Sequence, residues 1–180
     1  MNKRNKIQKL WFGVEDIEIP LIVTPVPRIH QELLKTYKLK QELGGWYNPS
    51  VISLKGNDFL VMQIPMGRAS EDLANVVESS NPVYMLGYCG GLNPSLQIGD
   101  IFQDTDNSMK ISDVKEGRVQ TVDGLLDKRY SEGSDAVDME NEFYRRHLEN
   151  YSGYFIVSDL PHSRPFFDIT KLDKIGRAHV

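Results

Sequence analysis

Two short apolar runs, Val83–Leu86 and Tyr154–Ser158, constrain the fold of this chain more than any other feature. Nearly all of their residues are apolar, which is typical of strands in the middle of a sheet that is covered on both faces. Other short apolar runs alternate along the sequence with amphipathic stretches that carry helix signals. The sequence therefore predicts an α/β fold.

Three more strands and three helices follow from the same periodicity. The strands are predicted at Pro20–Thr24, Val51–Leu54 and Phe59–Ile64. The helices are predicted at Ile29–Tyr37, Arg68–Ser79 and Asp138–Asn150. Gln103–Glu116 is polar and weakly patterned, which indicates a surface loop or hairpin. Because the sequence has no internal repeat and no linker, residues 1–174 are predicted to form one domain.

The last six residues, Ile175–Val180, match the peptide that one reading frame of a common sequencing adaptor encodes. We therefore expect residues 175–180 to be a non-native tail and exclude them from the fold argument. His179, which lies in this segment, is given no functional role.

Composition argues against several classes of partner. The net charge is −4 and basic residues are scattered apart from Lys3–Lys9, so no nucleic-acid polymer is expected as a partner. No apolar run approaches the roughly 20 residues of a membrane span, so no membrane contact is expected. The single cysteine, Cys89, excludes an intrachain disulfide, predicts a cytoplasmic location and is interpreted as a small buried residue. Because His30, His147 and His162 lie far apart in the sequence, no metal is expected.

Two carboxylates occupy positions that favour different chemical roles. Glu140 opens a predicted helix and could hold a polyol such as ribose, although the helix dipole alone favours a glutamate there. Asp159 ends an apolar strand, where partial desolvation can keep a carboxyl protonated to act as an acid. The alternative is an aspartate that only caps the following turn. Together the two residues predict cleavage of a glycosidic bond with protonation of the leaving base.

A glycine-rich turn follows the apolar strand Val83–Leu86. Gly90 in this turn is a candidate substrate-binding residue, because glycine lets the backbone come close to a ligand. The ends of strands in an α/β sheet are also where ligands usually bind. The spacing fits neither a dinucleotide fingerprint nor a P-loop.

In combination, Gly87–Asp100, Val137–Glu140 and Ser158–Asp159 resemble the nucleoside phosphorylase and nucleosidase superfamily. That group includes purine and uridine phosphorylases and methylthioadenosine/S-adenosylhomocysteine nucleosidase. Gly117–Glu140 is most similar to the hopanoid-associated and other short nucleosidase-like members. The resemblance implies a three-layer α/β/α domain around a central twisted mixed sheet, here without its C-terminal helix. It also implies a homo-oligomer.

The resemblance implies roles for individual residues. Met139 and Glu140 would contact the ribose, with Glu140 accepting hydrogen bonds from its hydroxyls. Asp159 would protonate N7 of a purine or hydrogen-bond to it. Met66 would pack near the sugar, and Gly124–Leu125 would flank the base. No organic cofactor is implied, although phosphate would be a co-substrate in a phosphorylase.

Several positions depart from the superfamily pattern. Met85 stands where many phosphorylases carry a phosphate-binding arginine, and Tyr88 replaces a small serine that contacts phosphate. Leu125 occupies a position where an aromatic residue often stacks on the base. Arg28 and Arg68 are alternative candidates for binding phosphate, but each is equally well interpreted as an exposed charge.

The predicted function is cleavage of the N-glycosidic bond of a purine nucleoside or adenosyl-type derivative by water or by phosphate. The methionine at Met85 favours hydrolysis, whereas Thr24–His30 lacks the carboxylate that activates water in hydrolytic members. Two alternatives remain open. The chain could be a non-catalytic nucleoside-binding or storage-like protein with the same fold, or an inactive truncated fragment.

Overall fold

The computed structural model describes residues 3–77, 81–125 and 127–165. Its strands, in chain order, are β1 Leu21–Thr24, β2 Lys38–Glu42, β3 Ser50–Leu54, β4 Asn57–Gln63, β5 Val83–Gly91, β6 Ile101–Asp104, β7 Lys115–Gly117, β8 Val119–Thr121, β9 Ala136–Asp138 and β10 Tyr151–Asp159. Its α-helices are α1 Lys3–Phe12, α2 Pro27–Thr36, α3 Glu71–Ala74 and α4 Asn141–His147. A 3-10 turn at Gly67–Ser70 leads directly into α3.

The strands of the described residues form one mixed sheet. Its main path runs β2-β3-β4-β1-β5-β10-β6-β7, and the short pair β8–β9 joins it through β5. The centre is parallel: β1 lies between β4 and β5, and β10 lies on the other side of β5. β6 is antiparallel to β10, and β3 is antiparallel to β4. The carboxyl ends of β4, β1, β5 and β10 therefore meet along one edge of the sheet.

Side chains of the central strands alternate between two apolar layers. In β1, Leu21 and Val23 belong to the larger core cluster, whereas Ile22 belongs to the smaller one. The larger cluster contains Phe12 of α1 and further side chains of α3 and α4, while α2 packs through Leu33 on the opposite face. This alternation is what a strand covered on both faces requires. The predicted three-layer α/β/α arrangement is confirmed.

The five predicted strands correspond to β1, β3, β4, β5 and β10, and the first predicted helix corresponds to α2. Two predicted helices have wrong boundaries. The predicted Arg68–Ser79 begins with the 3-10 turn, and its α-helical part ends at Ala74. The predicted Asp138–Asn150 loses its first residues because Ala136–Asp138 pairs with β5 as β9. The later start of α4 reflects long-range pairing, which overrides the local pattern; residues 78 and 79 of the other predicted helix lie outside the described residues.

The polar segment Gln103–Glu116 is mostly a loop, as predicted, but its ends belong to β6 and β7. The sequence analysis missed α1 and β2, which are polar; all five residues of β2 are exposed. The predicted missing C-terminal helix and the predicted tail at residues 175–180 lie outside the described residues. In the part of the chain that is described, none of the helices has the length and apolar character of a membrane span.

One buried amide completes the pairing of β10 where its partner β6 ends. β6 pairs with β10 only at Tyr154, Phe155 and Ile156. Next to them, Asn107 accepts a hydrogen bond from the backbone N–H of Gly153 (2.7 Å) and donates one to its carbonyl (2.9 Å). The side chain thus replaces a missing strand residue, and both backbone groups of Gly153 are satisfied in a buried position.

We expect Asn107→Ala to lower the free energy of unfolding by about 1–3 kcal/mol, because it leaves two buried backbone groups of Gly153 without a partner. Urea unfolding measures the change. Asn75→Ala is the matched control, because the Asn75 side chain bonds at an exposed site and should cost no more than about 0.5 kcal/mol. Equal losses in the two variants would contradict the structural role of Asn107.

Candidate active site

A cavity of about 350 Å³ opens at the edge where the parallel strands end. Four strand ends contribute to its wall: Pro25 follows β1, Met66 follows β4, Gly90 lies in β5 and Asp159 ends β10. A volume of this size is within the range of small-molecule sites. Its position agrees with the rule that ligands bind at the carboxyl ends of strands in α/β sheets.

Seven of the sequence-predicted site residues line this cavity. They are Met66, Gly90, Gly124, Leu125, Met139, Glu140 and Asp159. Met66 and Leu125 are 56% and 49% exposed, so they lie at the open rim. Glu140 and Asp159 are only 5% and 8% exposed, so they lie deep in the cavity wall. The cavity is open although Tyr88 forms part of its wall.

The two predicted phosphate-binding arginines are not among the residues that line the cavity. Both Arg28 and Arg68 are exposed, and the nearest described acidic partner of Arg68 is Glu71, at 3.9 Å. Met85, at the position of the phosphorylase arginine, is fully buried in the core. The single cation in the described wall of the cavity is Lys128.

Glu140 is held by the segment that follows β4. It is the N-cap residue of α4, and its Oε1 accepts a hydrogen bond from the backbone N–H of Gly67 at 2.5 Å. Gly67 has φ of +67°, a left-handed conformation that glycine adopts without strain. Burial raises the pKa of Glu140 to about 7, and the hydrogen bonds from Gly67 and Met139 oppose this shift. Glu140 therefore titrates close to neutral pH.

Asp138 is a site residue that the sequence analysis did not single out. Its Oδ1 accepts from the hydroxyl of Thr121 (2.7 Å), and its Oδ2 accepts from the backbone N–H groups of Glu140 (3.1 Å) and Asn141 (2.6 Å). Burial, followed by the charge of Glu140, raises the pKa of Asp138 to about 8, against the effect of these hydrogen bonds. The available signal was an aspartate just before a helix, because Asp is a preferred capping residue.

A β-bulge aims the end of β10 into the cavity. In the pairing with β5, Val157 lies opposite Cys89 and Asp159 opposite Gly90, so Ser158 is an extra residue. Both Ser158 and Asp159 consequently face the cavity, where a regular strand would turn one away. The hydroxyl of Ser158 donates to Oδ1 of Asp159 at 2.8 Å, which orients the carboxyl.

Gly90 has a packing role that explains the residue type. A Cβ atom at this position would lie 2.8 Å from Cγ of Pro161 and 3.2 Å from Cγ2 of Val137. Both neighbours are too stiff to move aside, so glycine is required where β9 and the segment after β10 close over β5.

Cys89 is buried, as predicted, and burial raises the pKa of its thiol well above the ordinary value. A thiol in this state is a poor nucleophile at neutral pH. Among the residues that the structure describes, no group of three or more His, Cys, Asp or Glu side chains could hold a metal ion. The carboxyls in the cavity wall can hold hydroxyl groups and transfer protons.

The comparisons with known proteins bear on this geometry. No protein-family model matches the sequence, and a search of curated proteins gives no match. Solved structures do match. The methylthioadenosine nucleosidase of Chlamydia trachomatis bound to adenine has a TM-score of 0.71 at 15% identity, over 89% of this chain and 92% of that one.

Two further structures extend the likeness. Purine nucleoside phosphorylase from Toxoplasma gondii, in complex with immucillin-H, has a TM-score of 0.66 at 19% identity, over 91% of this chain and 87% of that one. Streptococcus pneumoniae MTA/SAH nucleosidase, in complex with 8-aminoadenine, has a TM-score of 0.68 at 13% identity, over 89% and 94%. The chain has the nucleoside phosphorylase/nucleosidase fold. The resemblance inferred from the sequence is confirmed at the level of the fold.

We expect the free energy of unfolding to fall as the pH rises from about 5 to about 8. Both carboxyls have folded-state pKa values, about 7 for Glu140 and about 8 for Asp138, above their ordinary values of 4.5 and 3.8. The folded state therefore binds more protons than the unfolded state in this window, which stabilises it at the acid end. Glu140→Gln should reduce the fall by on the order of 3 kcal/mol.

Urea unfolding at several pH values provides the measurement. Glu32→Gln, on the exposed surface of α2, makes the same chemical change away from the cavity and should reproduce the wild-type profile. Parallel profiles for the wild type and Glu140→Gln would show that burial does not raise the pKa of Glu140.

Proposed function

We propose that this chain cleaves the N-glycosidic bond of a purine nucleoside or an adenosyl-type derivative. The observation that carries the proposal is that Glu140 and Asp159, which are 19 positions apart in the sequence, are both buried in the wall of one cavity at the carboxyl ends of the parallel strands. The fold around them is one that known nucleosidases and purine nucleoside phosphorylases share.

The two carboxyls suit the two ends of such a substrate. As the C1′–N9 bond breaks, its electron pair moves to the base and positive charge develops on the ribose. Asp159 gives a proton to N7 of the base, and Glu140 accepts hydrogen bonds from the ribose hydroxyls. A carboxylate beside the sugar also stabilises its developing positive charge. Water then adds to C1′ and releases one proton to the solvent, and Asp159 regains a proton from the solvent, which closes the cycle.

Water fits this cavity better than phosphate does as the nucleophile. Four carboxyl groups, of Asp127, Asp138, Glu140 and Asp159, line it against the one ammonium group of Lys128 within the described residues. A phosphate dianion would find one ammonium group and no guanidinium group in the described wall to balance its charge, and the ionised carboxylate of Asp127 would repel it. The exposed positions of Arg28 and Arg68 supply no compensating charge to this wall. We therefore favour hydrolysis. The homo-oligomer and the cytoplasmic location stay predictions.

Release of free base tests the function directly. We expect the protein to release base from adenosine, inosine or methylthioadenosine, measured by chromatography, at a rate that inorganic phosphate does not increase. A rate that depends on phosphate would make the protein a phosphorylase. Binding of nucleoside without release would favour the non-catalytic alternative, and neither binding nor release would favour the inactive fragment.

Asp159→Asn should lower kcat by about 10²–10⁴-fold, because an amide cannot give a proton to the leaving base. The amide retains the size of the carboxyl, so the melting temperature should change little. Asp113→Asn is the matched control: Asp113 is exposed and has φ of +63°, which asparagine tolerates. Full activity in Asp159→Asn would remove Asp159 from the mechanism.

A further inference from the structure

One aromatic ring in the wall of the cavity belongs to a residue to which no function has been assigned. Tyr130 lies between β8 and β9 and lines the cavity together with Asp127 and Lys128. Leu125, which occupies the position where a base-stacking aromatic residue was expected, is an aliphatic side chain at the rim. The same connection therefore supplies an aromatic residue to the cavity wall, five positions after Leu125.

The backbone on both sides of Tyr130 is fixed by one side chain of β8. The amide of Gln120 donates to the carbonyl of Arg129 (3.0 Å) and accepts from the backbone N–H of Ser131 (2.7 Å). The backbone N–H of Tyr130 donates to the carbonyl of Lys128 at 3.0 Å. These bonds fix the backbone on both sides of Tyr130.

The ring of Tyr130 is also held from the side. His162, in the segment after β10, makes a perpendicular contact with it, with ring centroids 5.5 Å apart and an interplanar angle of 88°. A perpendicular contact occupies at most one face of the tyrosine ring. The contact with His162 therefore does not cover both faces of the ring, and Tyr130 is part of the cavity wall.

Tyr130 belongs to the Asp159 end of the cavity. Tyr130 and Asp159 line the same cavity, and burial, followed by the charges of Asp159 and Asp127, raises the pKa of the Tyr130 hydroxyl. His162, the ring partner of Tyr130, lies three residues after Asp159 in the sequence. In the proposed reaction, this is the end where the leaving base is protonated.

We propose that Tyr130 is the residue that recognises the purine base, by stacking its ring on the base next to Asp159. The inference rests on the proposed function for the identity of the substrate, but stacking itself needs no catalysis. Base–aromatic stacking typically contributes enough to change affinity by about tenfold when the ring is removed. The ring, and not the hydroxyl, is responsible for this contribution.

Binding of 2-aminopurine tests the assignment, because stacking on an aromatic ring quenches its fluorescence. We expect the wild type to bind this base with quenching. Tyr130→Phe should keep both the quenching and the affinity within about twofold. Tyr130→Leu should lose most of the quenching and bind about tenfold more weakly, with an unchanged melting temperature, since Tyr130 lies outside the buried core.

Three results would overturn the assignment. The first is quenching in Tyr130→Leu that equals the wild type. The second is a loss of affinity in Tyr130→Phe, which would assign binding to the hydroxyl. The third is quenching that disappears in Tyr88→Leu and persists in Tyr130→Leu, which would assign stacking to the other tyrosine in the wall.

The outcome is separable from that of the proposed function. If the wild type releases base from nucleosides but neither binds nor quenches 2-aminopurine, the role of Tyr130 fails and the enzymatic function stands. If the wild type binds and quenches 2-aminopurine through Tyr130 but never releases base, the recognition role stands and the catalytic proposal fails.

Discussion

The site depends on the buried carboxyl of Asp138, which joins three elements at one point. It accepts hydrogen bonds from Thr121 of β8 and from the first backbone N–H groups of α4, while its own strand β9 pairs with the end of β5. The N–H groups at the start of a helix have no partner within the helix, so a carboxyl there satisfies them. Because Glu140 is the next residue but one, the same bonds decide where its side chain lies.

A second buried hydrogen-bond network connects the start of α4 to β6 and β10. Asn141 donates to Asp104 of β6 and accepts from the hydroxyl of Tyr151 of β10 at 2.7 Å. Gly153 leaves space for this amide, since a Cβ there would lie 2.5 Å from its Oδ1. A buried polar network whose members are satisfied fixes one arrangement, whereas a partly satisfied one is costly. The networks of Asp138 and Asn141 therefore hold the start of α4 from two sides. This gives the carboxyl of Glu140 a defined direction.

Much of the fold could be predicted from the sequence, because burial on both faces leaves a continuous apolar run. Val83–Leu86 and Tyr154–Ser158 were identified in this way, and both lie in the centre of the sheet. β9 could not be found, because three residues carry no periodicity and their state depends on pairing with β5. The polar helix α1 was missed for a related reason: its contribution to the core comes from few side chains, such as Phe12.

The candidate site also contains residues that could be predicted from the sequence and residues that could not. Glu140 and Asp159 stand at the ends of regular elements, and their meeting in one cavity follows from the parallel order of the strands, so the sequence was informative. Arg28 and Arg68 also stand at helix starts, but a position on an element does not decide where a long exposed side chain points. Tyr130 was missed because its loop is placed by Gln120, a polar residue with no pattern of its own.

The fold is shared with known structures at only 13–19% sequence identity, and the way in which the site is built explains how this is possible. The positions of the two carboxyls depend on backbone geometry. The features responsible are a bulge at Ser158, a left-handed Gly67 and the first turn of α4. Such features constrain few residue types, so the rest of the sequence can change while the two carboxyls keep their places. In the function that we propose, the residues that contact the base are under no such constraint. An aromatic ring can be supplied by any loop that reaches the Asp159 end, and this is how we interpret Leu125 at the rim together with Tyr130 in the wall.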